Sequence, residues 1–170
     1  MCMDWKVLPT LGFKLPPDFP FEPYLQVNSY LDKYKFTHSE QCKSFGLGWK
    51  GIAYRFRTSV EYDMQFMNSV IKYSNSPPHE ERYNQEKFLT GFFVNATSTV
   101  ECFFFSTYCI ASILKPEKFP MLEAKDLKFY PSDVARDFCK NFASESFSKM
   151  QAEFLKDPHY KKIKDMRDVL

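Results

Sequence analysis

Glycine, histidine and arginine are all scarce in this chain. Five Gly in 170 residues leave little material for glycine-dependent turns, propellers or collagen-like repeats. Three His leave few groups that titrate near neutrality, and none sits at a nucleophile spacing. Only Arg55, Arg57, Arg82, Arg136 and Arg167 interrupt an otherwise Lys-rich cationic set, so the Arg positions mark where a planar, permanently charged fork matters. No CxxC pair or zinc-type His spacing joins Cys2, Cys42, Cys102, Cys109 and Cys139, and no metal is expected. Cys102 and Cys109 stand two helical turns apart and read as buried thiols. No basic segment followed by an apolar run opens the chain, since Asp4 and Lys6 intervene, so no secretory signal is read and the cytoplasm is the expected compartment. Without export, Asn95-Ala96-Thr97 has no glycan to carry.

Aromatic residues make up 18% of the chain and hydrophobic residues 44%, which is enough for one sizeable core and excludes a disordered chain. Charge is nearly balanced. Lys156, Lys161, Lys162, Lys164 and Arg167 outnumber Asp157, Asp165 and Asp168 by two near the C-terminus, which accounts for the whole net charge of +2. That excludes the footprint of a general nucleic-acid binder and leaves a solvated Lys-rich face or a phosphate-facing edge.

Five prolines up to Pro23, interleaved with Trp5, Phe13, Phe19 and Phe21, argue against helix there and for an extended arm laid on the body, or a proline-rich ligand segment. Tyr24 to Phe36 alternates weakly and reads as a short strand or hairpin; Gly46, Gly48 and Gly51 read as a loop with negligible nucleotide-binding signal. Helical spacing runs from Trp49 through Ala53, Phe56, Val60, Met64 and Met67 to Ile71 and stops at Ser74-Asn75-Ser76-Pro77-Pro78. The next helix is apolar nearly all round: Phe88 to Leu114 carries Glu101 as its only charge. Its length suffices to cross a bilayer, yet a mid-span Glu is costly, so no membrane span is expected and a helix enclosed by neighbours or a second subunit is. Glu101 must then be paired. A short turn is expected between Phe119 and Pro131. A third helix carries Val134, Phe138, Phe142, Phe147, Met150 and Phe154 on one face, and a fourth, after Asp157-Pro158, shares His159, Ile163, Met166 and Leu170. The expected fold is all-α: an antiparallel up-and-down bundle of about four main helices over residues 46–170, preceded by an extended Pro/aromatic-rich arm over residues 1–45.

The closing run Arg167-Asp168-Val169-Leu170, late in an all-helical domain, resembles the start of the Arg-x4-6-His motif of the HEPN superfamily (higher eukaryotes and prokaryotes nucleotide-binding). Ala53-Tyr54-Arg55-Phe56-Arg57, the segment from Pro77 to Tyr83, and Phe92 to Ala96 running on to Glu101 are similar to segments of HEPN-like bacterial proteins. The resemblance covers about residues 45 to 170. It implies a homodimeric, metal-independent endoribonuclease of toxin or defence type, without a cofactor, whose partners are RNA and an antitoxin or other protein. Arg167 would be the motif arginine, Asp168 its polar neighbour and Glu101 an orienting partner, with Arg55, Arg82, Lys161 and Lys164 facing substrate. The motif histidine would fall beyond Leu170, so the chain is expected to be cut within its motif and inactive as it stands. A non-catalytic helical interaction or nucleotide-binding module is the rival expectation.

Overall fold

The computed structural model describes residues 5–74, 76–121 and 130–169. Cys2, Asn75, Leu170 and the turn expected around 122–129 lie outside them. Two short strands, β1 (Lys6–Leu8) and β2 (Phe13–Leu15), pair antiparallel with Leu8 opposite Phe13 and Lys6 opposite Leu15. Gly12, at φ +71°, supplies the left-handed residue of the turn, and the amides of Leu11 and Gly12 both donate to the Leu8 carbonyl at 3.0 Å. Leu8 and Leu15 are fully buried.

Tyr24 to Phe36 was expected as a strand or hairpin and is instead mostly helix: α1 spans Phe21–Asp32. Pro23 is tolerated because it falls at the third helical position, where the backbone N–H has no intrahelical partner to lose. Tyr24 and Leu31, two turns apart, are the buried residues of α1. A second correction concerns Gly46, Gly48 and Gly51, which lie inside helix α2 (Ser39–Tyr73) rather than in a loop.

α2 and α3 (His79–Leu114), of 35 and 36 residues, form a long antiparallel pair, each about 50 Å at 1.5 Å per residue. Their register is visible in close contacts. A Cβ built on Gly48 would lie 2.6 Å from the Phe105 ring, one on Gly51 2.8 Å from Cys102 Sγ, and one on Gly91 2.6 Å from the Tyr62 ring. Each advance along α2 is matched by an equal retreat along α3, as two straight antiparallel helices require.

The third expected helix is two. α4 (Pro131–Asn141) and α5 (Ser146–Phe154) are separated at Phe142, whose carbonyl accepts a 2.8 Å hydrogen bond from Ser148 Oγ. A side-chain donor there competes with continued helix. Val134 and Phe138 are buried, and Phe147 keeps an edge contact with Phe138 at 6.0 Å between centroids, whereas Met150 and Phe154 are exposed because the corner turns their face away. α6 (Pro158–Val169) follows, with Asp157 Oδ1 accepting from the amides of His159 (2.7 Å) and Tyr160 (3.2 Å) as an N-cap.

The described chain is thus predominantly helical. One core cluster joins the β-hairpin, α1, the start of α2 and the end of α3 around Phe19, Tyr24, Phe45 and Trp49; a second joins α3 and α4 around Phe104, Phe119 and Phe138. Both sit toward one end of the α2–α3 pair, and Phe103 packs against each.

Candidate functional site

α6 buries no residue of its own, so what holds it on α3 is the chemistry of its inner side. Tyr160, Ile163 and Arg167 recur at three- and four-residue steps and are the half-buried residues there, while His159, Lys161, Lys164 and Met166 are exposed. The expected face through His159 and Met166 is therefore rotated. The reason is electrostatic: Arg167 Nη1 reaches Glu101 Oε1 at 2.6 Å, while its Nε and Nη2 fork onto Asp168 Oδ1 at 3.0 and 2.8 Å.

Glu101 is paired, as its place in an apolar helix requires, although its side chain is 42% exposed. Asp168 first and Glu101 second raise the pKa of the already basic guanidinium. Tyr160 is half-buried beside them; burial raises its phenol pKa, and the negative charge of Glu101 adds to the rise. Its ring packs on Phe154 with centroids 5.1 Å apart. Tyr160 was missed in the sequence; its only signal was a spacing of two helical turns before Arg167.

The remaining candidates do not converge on Arg167. Arg55 Nη1 donates to Asn95 Oδ1 at 3.1 Å across the α2–α3 seam, and Asn95 Nδ2 donates to the Gly91 carbonyl at 2.7 Å. Asn95 is buried by this pairing, so the glycosylation pattern is sterically closed as well as chemically occupied. Arg82 is exposed in the first turn of α3, about 28 Å from Glu101 along the helix axis. Lys161 and Lys164 point to solvent on α6. No described histidine is hydrogen-bonded to Arg167 or Glu101: His38 meets Thr37, His79 opens α3, and His159 is exposed.

Among the described residues no group of three or more His, Cys, Asp or Glu could hold a metal. Burial pushes the Cys109 thiol up to about 12 and raises Cys102 and Cys42 as well, which makes all three poor nucleophiles. No family model, curated protein or solved structure matches this chain. The functional reading therefore rests on the residues themselves.

α3 adds one further property. It is long and apolar enough to cross a membrane by length and composition, and only 17% of its most apolar stretch is buried. Its own neighbours do not enclose it, in contrast to the expectation of a helix covered within its bundle.

Proposed function

We propose that this chain is a HEPN-like helical module that acts by binding, pairing with a second copy through the open side of α3, and that it does not cut RNA. The observation that carries this reading is the state of Arg167. Two carboxylates, Glu101 and Asp168, occupy its fork, so the guanidinium is already neutralised where a scissile phosphate would need a free cation. Among the described residues no histidine is bonded to Arg167 or Glu101 to move a proton there. The open side of α3, which includes the exposed Val94, supports self-association, and a net charge of only +2 leaves little repulsion between copies. The module works in the cytoplasm, away from a bilayer.

The test combines sedimentation of the purified protein with incubation on single-stranded RNA in chelator. A dimer that Val94→Glu converts to a monomer of unchanged helical content, with RNA left intact, is the expected result. RNA cleavage that vanishes in Arg167→Ala would replace this reading with the endoribonuclease. A monomer at all concentrations would remove the pairing, and recovery only with detergent would assign α3 to a membrane.

A further inference from the structure

A cavity of about 310 Å³ opens between the C-terminal third of α3 and the α4–α5 corner, away from Arg167 and independent of the reading above. Ile110 and Leu114 of α3, Phe138 and Phe142 at the end of α4, and Phe147 of α5 form apolar walls, and among the described residues Glu145 is the one charged lining residue. That volume lies at the lower end of ordinary small-molecule sites, which are mostly apolar with a few placed polar groups.

The polar groups at this cavity share one property: they accept. Ser148 Oγ spends its proton on the Phe142 carbonyl at 2.8 Å. Thr107 Oγ1 donates to the Phe104 carbonyl at 2.9 Å and accepts from Gln151 Nε2 at 3.1 Å. Behind Thr107, Gln151 is 1% exposed and its Oε1 has no donor. The Glu145 carboxylate is exposed and has no hydrogen bond or ion pair with any described residue. Lys115 is bound to the Asn141 carbonyl and lies 4.3 Å over the Phe142 ring without lining the cavity. Phenyl rings, a carboxylate without a described partner and no spare side-chain donor among the described lining residues disfavour an anion. They suit a positive group on an apolar body, since ring faces and carboxylates both attract cations.

We propose that this cavity binds a small hydrophobic organic cation, an alkyl- or arylalkylammonium, with its apolar body among Ile110, Leu114, Phe138 and Phe147 and its ammonium on Glu145. Isothermal titration with three probes of one size tests it: 2-phenylethylamine, 2-phenylethanol and 3-phenylpropionate at neutral pH and low salt. The amine is expected to bind saturably at one site, about ten-fold tighter than either of the others. Glu145→Gln, at an exposed position, is expected to remove that preference while leaving the alcohol's affinity unchanged. Phe147→Leu, also at a partly exposed position, should weaken the amine several-fold. Equal affinity for all three probes, indifference of the amine to Glu145→Gln, or no saturation by the amine at millimolar concentration would each overturn the proposal; circular dichroism of both variants confirms that they are folded.

Discussion

Tyr24 and Trp49 lock two elements together with reciprocal bonds. The Tyr24 hydroxyl donates to the Trp49 carbonyl at 3.0 Å, the Trp49 indole N–H donates to the Tyr24 carbonyl at 3.1 Å, and the rings stack at 5.1 Å. Tyr24→Phe removes one of these bonds from a buried place, and urea unfolding is expected to show a loss of about 1 kcal/mol. Burial also raises the Tyr24 phenol from 10.0 to about 12. Below pH 10 the phenol is neutral in both states, and its contribution is fully present. Above that the unfolded chain ionises first, so stability is expected to fall as pH rises from 10 toward about 12; a wild-type stability that stays flat there, or one that falls equally in Tyr24→Phe, would contradict the assignment. Trp49 was readable from the sequence as the start of an apolar stripe. Tyr24 was readable only as an aromatic in an ambiguous segment, because a partner 25 residues away leaves no local pattern.

At the scale of elements, glycine does two opposite jobs in α2. Gly48 lets α3 approach, for an added Cβ would meet Phe105 and Ser106 at 2.6 Å, whereas one on Gly46 would meet nothing within 4 Å. Gly46→Ala is therefore expected to stabilise by about 0.5–1 kcal/mol through helix propensity. Gly48→Ala is expected to destabilise by about 1–2 kcal/mol, since overpacking costs about 1–3 and outweighs the same propensity gain. Thermal melts of the two variants moving in the same direction would contradict the packing described. Three glycines in six residues look alike in the sequence, where they suggested a loop; only the neighbouring helix distinguishes them. The stretch from Trp49 to Ile71 and the breaker after it were legible because they depend on periodicity and on proline. The division of α4 from α5 was not, because it turns on a hydroxyl of Ser148 reaching back to the Phe142 carbonyl.

Across the whole molecule, burial is concentrated where the β-hairpin, α1 and α4 meet the start of α2 and the end of α3, and α6 contributes nothing to it. Native-state hydrogen exchange is expected to follow this gradient: amides of α6 and of the turn end of the α2–α3 pair exchange first, and those around Trp49 and Cys109 last. Protection of α6 amides equal to that around Trp49 would contradict the gradient. The Arg167–Glu101 bridge is partly exposed, at 27% and 42%, so a double-mutant cycle with Arg167→Ala and Glu101→Gln is expected to return a coupling of no more than about 1 kcal/mol. A coupling several times larger would mean that the pair is more deeply desolvated than its exposure indicates.

The sequence by itself determined the all-helical class, the two longest helices, the proline-marked breaks and the need of Glu101 for a partner, because each follows from spacing or from the chemistry of a single residue type. Tertiary structure decided which arginine answers Glu101, which glycines are indispensable, and how the side chains around Glu145 present only acceptors. Those outcomes depend on which helix faces meet, and the residues that meet lie tens of positions apart, beyond the reach of any local pattern.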